Sequence, residues 1–235
     1  LLTKPFFWKP ENSNFWVPPI ISEELQTFDK NINPVFQNAD GRFFLAYENG
    51  KIVGRIGALI NWIEVKDQGI KKMRFGWFDV VDNQEITNAL LDKVNEIGKE
   101  NNLEFIEGPI GFSNLDKVGV VYKGFDHIGS MITWENHPYY ITHLEAYGMT
   151  FGKGYSENKM KFENIKPEFF RRIQELIKQR YKLRPINFTS NKDIMPYTDD
   201  MFDVFSKSHA VLSSFVEITP LQRDYFKKKF IGFVN

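Results

Sequence analysis

Asn49-Gly50 sits between two apolar runs in RFFLAYENGKIVGRIGALIN, residues 42–61. An Asn-Gly turn accepts positive φ at both positions and matches the twist of the strands it joins. The pair therefore predicts a β-hairpin with strands near 43–47 and 52–60. A hairpin this apolar needs further elements to bury a face, and the following segments supply them. KKMRFGWFDVV (71–81) gives a third strand, and across 83–99 Ile86, Leu90, Leu91, Val94 and Ile97 fall on one helical face. LEFIEGPIGF (103–112) gives a fourth strand near 103–108, ended at Gly108-Pro109 because proline brings no N–H to a ladder. HPYYITHLEAYGM (137–149) reads as a helix begun by Pro138 and closed by Gly148, and YSENKMKFE (155–163) as a further strand. Upstream, NFWVPPIISEELQTF (14–28) predicts a short helix opened by Ser22 with acidic residues in its first turn.

After Lys166-Pro167 the pattern changes. EFFRRIQELIKQRY (168–181) is an amphipathic helix, KLRPINFT a short strand, and TDDMFDVFSKSHAVL another helix. About 70 residues with one short strand make a poor independent core. Two units are therefore expected: residues 1–165, and residues 166–235 as the start of a second domain, incomplete in this chain, or an appendage on the first.

Lys and Arg number 30, as do Asp and Glu, so no basic excess points to nucleic acid or an anionic membrane. The chain has no cysteine, which excludes disulfides, thiolate zinc sites and cysteine nucleophiles and fits a cytoplasmic, reducing setting. The four histidines lack metal-ligand spacing, so no metal is expected. No apolar run approaches the roughly 18 residues of a membrane span. The run KKK (227–229) reads as a solvated helix face.

The order hairpin, strand, helix, strand, helix, strand across 42–163 resembles the GCN5-related N-acetyltransferase (GNAT) family. GPIGFSNLDKVGVVYKGFD with NHPYYITHLEAYGM is similar to a group of bacterial proteins carrying two GNAT-like domains. The resemblance implies a mixed α+β fold with a mostly antiparallel central sheet, splayed strands and flanking helices. It also implies acetyl-CoA or another acyl-CoA as co-substrate and a small-molecule or peptide amine as acceptor. In such a fold the third strand leads through a pyrophosphate loop into the central helix, and the pantetheine arm pairs with that strand's edge. The positions concerned are Phe78, Asp79, Val80, Val81, Asn83, Gln84 and Thr87, with Gly108 at the splay and a backbone amide near Val80 to Asp82 facing the oxyanion.

The loop departs from the family's glycine-rich pattern. Asp82, Glu85 and Thr87 occupy its three diagnostic places, and Asp82 and Glu85 have the spacing of a capping box. Carboxylates there would fill the amides that bind an anion and repel a pyrophosphate. For the chemistry, Glu107 and Asp116 are candidate bases, with Asn114 and Tyr139 facing the substrate. The family's usual acid position falls on Leu144, so Tyr140, one turn earlier, is the candidate acid; its alternative role is packing. Without a working groove, the same chain reads as a non-catalytic ligand-binding or scaffold module.

Overall fold

The computed structural model of the chain describes residues 17, 19–113, 115–130, 133–212 and 214–231. Asn49 (φ 49°) and Gly50 (φ 75°) make the turn with both φ values positive, as the Asn-Gly pair predicts. They join β1 (Ala39–Glu48) to β2 (Lys51–Asn61), in a register that pairs Glu48 with Lys51. β3 (Lys72–Val80) pairs antiparallel with β2 and is buried along its length. β4 (Phe105–Glu107) runs parallel to β3, opposite Lys72 to Arg74, and the sheet order is β1-β2-β3-β4. The result is a four-stranded mixed sheet in an α+β fold.

Upstream of the sheet lies α1 (Ile21–Phe28). Between β3 and β4, α2 (Gln84–Glu100) turns Leu90, Leu91, Val94 and Ile97 onto the sheet face that carries Ile56, Ala58, Ile60, Met73, Phe75, Phe78 and Val80. α3 (Tyr139–Ala146) adds Tyr140 and Leu144 to the same core, and Gly148, at φ 97°, ends the turn after it. The opposite face carries a smaller aromatic core of Val35, Ala39, Leu59, Trp77 and Phe112, packed by Phe28, Phe36 and Trp134.

One end of β3 is held by charge. Glu64, on a π-helical turn after β2, accepts two hydrogen bonds from Arg74 (2.6 and 2.7 Å), and both side chains are fully buried. Lys72 bridges Glu64 (2.8 Å) and Glu107 (2.6 Å). Ser214, far along the chain, completes the network: its hydroxyl donates to Glu107 at 2.7 Å and accepts from Lys72 at 2.8 Å. Buried charges of this kind are tolerable only when each one is paired and hydrogen-bonded.

Among the described residues four further α-helices follow: α4 (Pro167–Tyr181), α5 (Asn191–Ile194), α6 (Thr198–His209) and α7 (Pro220–Phe230). Residues 155–163 and 182–189 are not strands, because neither forms a ladder with another described segment. Their apolar residues Tyr155, Met160, Phe162, Leu183 and Ile186 are exposed, so nothing rewards an extended pairing. α1 begins after Ile20 without a side-chain cap, so Ser22 lies inside the first turn. The KKK run is salt-bridged in part, Lys227 to Asp199 and Lys229 to Glu23.

Candidate functional site

The far half of β3 differs from its near half. Arg55 pairs with Asp79 and Gly57 with Gly76, so Ile56 faces both Trp77 and Phe78: a β-bulge. Trp77 sits at φ 47°, a conformation that costs a bulky residue about 1–3 kcal/mol and persists only when surrounding contacts enforce it. The bulge sends Phe78 to the α2 face and Trp77 to the other, where Phe28, Phe112 and Trp134 ring it at 4.8–6.0 Å. β4 has already left by this point. After Glu107 the last backbone bond to β3 is Ile110 N–H to the Phe75 carbonyl, at 2.7 Å. Gly108 packs so tightly on Phe75 that a Cβ would meet its backbone oxygen.

The released edge of β3 is satisfied by side chains. Val80 N–H donates to the Tyr140 hydroxyl at 3.1 Å, and the Tyr139 hydroxyl donates to the Val80 carbonyl at 2.7 Å. Burial pushes both phenols upward in pKa, Tyr140 well above its ordinary value, with the Asp79 charge adding to both. Both stay protonated, and two neighbouring hydroxyls of α3 stand where a fourth strand would be. Val81 N–H bonds to the Val53 carbonyl, so an oxyanion-facing amide here would have to come from Val80 after Tyr140 yields, or from Asp82.

The turn into α2 corrects the expected capping box. The N-cap is Asn83, one residue later than Asp82, and its Oδ1 accepts from Glu85 N–H at 2.9 Å. Asp82 turns instead toward His143 of α3, 3.1 Å from Nε2, while Thr87 Oγ1 lies 2.9 Å from Nδ1 of the same ring. Gln84 donates to the His143 carbonyl at 3.1 Å. A hydrogen-bonded chain Asp82–His143–Thr87 thus clamps α3 to the start of α2. His137, stacked on Tyr139, is held below its ordinary pKa by burial, against the pull of Asp82.

On the other face, at the bulge, Asp79 forms a buried ion pair with Arg55 (2.5 Å from Nε). Glu24 of α1 accepts from Trp77 Nε1–H at 3.1 Å, and burial raises its pKa against the hydrogen bond and the Arg55 and Lys117 charges. Lys117 lies 5.1 Å over the Trp134 ring, its pKa lowered by burial despite Glu24, Asp79 and Glu135. Nearby, Asp116 packs on Gly111 and accepts from Ser113 N–H at 2.8 Å; burial raises its pKa against these bonds.

The structure therefore gathers Phe78, Asp79, Val80, Val81, Asn83, Gln84, Thr87, Tyr139 and Tyr140 around one end of β3, with Gly108 where β4 departs. It does not bring Glu107 or Asp116 to that edge. Glu107 lies near Arg74, six residues back, roughly 20 Å along the strand. There burial would raise its pKa, but hydrogen bonds from Lys72 and Ser214 outweigh this and hold it below the usual range. A carboxylate so occupied is a poor base. Asp116 faces the aromatic side, and Asn114 lies outside the described residues. His143, Glu24, Lys117 and Arg55 are absent from the sequence-based set. His143 carried a local signal, since it follows Tyr139 and Tyr140 at helical spacing and shares their face. Glu24 carried none, because its partner is 53 residues away.

No family model matches the chain, and no solved structure matches it significantly. Two curated proteins are similar. Protein YghO of Escherichia coli (strain K12) is 27% identical over 139 residues, covering 59% of this chain and 35% of that protein. The bacterial ceramide synthase of Caulobacter vibrioides (strain NA1000 / CB15N) is 28% identical over 112 residues, covering 47% and 29%. The chain thus aligns with about a third of the length of each relative. No helix among the described residues is long and apolar enough to cross a membrane.

Proposed function

We propose that the chain carries a GNAT-like fold and transfers an acyl group from acetyl-CoA or a longer acyl-CoA to an amine. The observation that carries this reading is the β3 edge: Val80 presents its N–H and carbonyl beside a bulge, and two tyrosine hydroxyls meet them in place of a strand. A pantetheine amide replaces both in kind, its carbonyl accepting from Val80 N–H and its N–H donating to the Val80 carbonyl. The similarity to a protein named ceramide synthase supports amide formation as the reaction class.

In the transfer, the neutral amine attacks the thioester carbonyl, the C–N bond forms and the C–S bond breaks. The amine's proton passes to a carboxylate, and the departing thiolate takes a proton. Glu24, which meets Trp77 at the bulge and is raised in pKa by burial, suits the carboxylate role; Asp116 does not reach that edge. Tyr140 is the proposed donor to the thiolate, and its strongly raised pKa makes that the costly step. Calorimetry with acetyl-CoA and longer acyl-CoAs tests the reading. Binding should be measurable and should tighten in Tyr139→Phe, which removes the hydroxyl competing for the Val80 carbonyl. Absence of binding at every chain length would favour the second reading, a ligand-binding or scaffold module. That alternative draws support from the α2 start, where Asn83 and the Asp82–His143 pair already occupy an anion's place.

A further inference from the structure

We infer that Lys117 is a site of self-acylation: its Nζ, standing over Trp134 beside the bulge of β3, takes the acyl group from a thioester and becomes an amide. The inference rests on the acyl-transfer reading and goes beyond it by assigning a covalent modification to the chain itself.

Lys117 is half-buried, yet its ammonium makes no hydrogen bond or ion pair with a described residue; it lies 5.1 Å over the Trp134 ring. Lys72 shows what an inward lysine of this fold ordinarily receives, a carboxylate on either side from Glu64 and Glu107. Around Lys117 the carboxylates act from a distance. Burial lowers its pKa, and the charges of Glu24, Asp79 and Glu135 only partly oppose that. A nucleophilic amine needs this combination of a neutral fraction and a lone pair that no partner holds. The same three carboxylates make the place unfit for an anion.

Trp134 supplies a second observation. Its Nε1–H is buried and has no hydrogen-bond partner. A native buried donor left unmet calls for an explanation, and an acyl group on the lysine that lies against this ring brings a carbonyl oxygen to it. Two links tie the pair to β3. Trp134 packs on Trp77 of the bulge (ring centroids 6.0 Å apart), and Trp77 Nε1–H donates to Glu24. Asp79, which acts on Lys117 through charge, stands 3.5 Å from the Tyr140 hydroxyl that meets Val80 N–H. Lys117 and the edge where the thioester is placed therefore share one carboxylate.

In the step, the neutral Nζ attacks the thioester carbonyl carbon, the C–N bond forms and the C–S bond breaks. The proton that Nζ loses passes to Glu24, and the departing thiolate takes one from Tyr140, so the exchange of protons balances. The modified side chain has lost its charge. Glu24 thereby loses one of the cations that hold its pKa down, which changes the base available to a free amine.

The test is mass spectrometry with peptide mapping of the full chain after exposure to acetyl-CoA and, separately, to S-acetyl-N-acetylcysteamine, a small thioester without the nucleotide. Lys117 should be acetylated at least about tenfold faster than Lys51, which is exposed at the hairpin, and urea should abolish the preference. Glu24→Gln, whose amide oxygen can still accept from Trp77, should slow Lys117 at least about tenfold and leave Lys51 unchanged. Trp134→Phe, which keeps a ring under the lysine, should slow it about tenfold. Modification of Lys117 no faster than Lys51 with both reagents, or a rate that Glu24→Gln leaves unaltered, would overturn the inference. Calorimetry with acyl-CoAs keeps the two readings apart. Selective acetylation by the small thioester without acyl-CoA binding defeats the acyl-CoA reading alone, and acyl-CoA binding with Lys117 unmodified defeats self-acylation alone.

Discussion

The sheet unit and the C-terminal helices are built from similarly amphipathic segments, yet they bury them to very different degrees. In α2 the stripe Leu90, Leu91, Val94 and Ile97 is at most 4% exposed. In α4 the corresponding residues Phe169, Phe170, Leu176 and Ile177 are 43–59% exposed, and no residue of that helix is buried. Amphipathicity specifies which face of a helix seeks cover; only a facing surface supplies it. What ties the C-terminal region down is a short seam. Val216, Ile218 and Gln222 are buried, Ser214 enters the ion network, and Gln68 donates to the Phe215 carbonyl at 3.0 Å.

The largest effect should come from breaking that network at its centre. Glu64→Ala leaves Arg74 buried without its carboxylate, and loss of one partner of a buried pair costs about 3–5 kcal/mol. Because Arg74 also donates to the Ser214 carbonyl (3.0 Å), the same change should expose residues 210–216 to proteolysis. If the sheet loses stability while that segment stays protected, the seam is held by something other than the network.

A paired truncation reads the contrast directly. Leu91→Ala, at a fully buried position, should cost about 2–5 kcal/mol in urea unfolding. Leu176→Ala, on the exposed stripe of α4, should stay within about 0.5 kcal/mol. An equal cost at Leu176 would show that α4 is covered in solution, and the comparison between the two regions would fail.

The same contrast explains what could be read from the chain. Asn49-Gly50, the alternation around it and the Ile86–Ile97 stripe are local patterns with local partners, and they yielded four strands and α2 in order. The strands expected at 155–163 and 182–189 had matching composition but no neighbouring edge to pair with, and pairing is what makes a strand. At the turn into α2, Asp82 and Glu85 had capping-box spacing, but Asn83 takes the cap because His143, 61 residues on, draws Asp82 away. The edge of β3 was legible from Gly108-Pro109; its occupation by Tyr139 and Tyr140 was not, since hydroxyl partners for a backbone edge leave no periodic trace.

A smaller effect is expected at the seam itself. Ser214→Ala removes one hydroxyl that bonds both Lys72 and Glu107, while those two remain paired with each other at 2.6 Å. The loss should be about 1 kcal/mol, the net worth of a typical buried hydrogen bond. Double-mutant analysis with Glu107→Gln should then show coupling, because both changes act on one network. Strict additivity would mean Ser214 contributes only through its backbone.

The smallest expected signal is a change of slope with pH, and two buried carboxylates, Asp116 and Glu107, should titrate in opposite directions. Asp116 is raised above its ordinary 3.8, chiefly by burial. Between 3.8 and its folded value the native chain holds a proton that the unfolded chain has released, so stability falls as pH rises through that window. Its contribution is complete below 3.8 and gone above the folded value. Glu107 is the reverse. Despite burial, Lys72 and Ser214 hold it below its ordinary 4.5. Its contribution is present above 4.5 and disappears as pH falls through the folded value. Urea unfolding at a series of pH values from about 3 to 8 should therefore lose the decline toward neutrality in Asp116→Asn and part of the acid-side decline in Glu107→Gln. Each variant should alter its own limb and leave the other. If Asp116→Asn changed only the acid limb, the carboxylate would be ion-paired rather than desolvated, and its burial would not be what raises it.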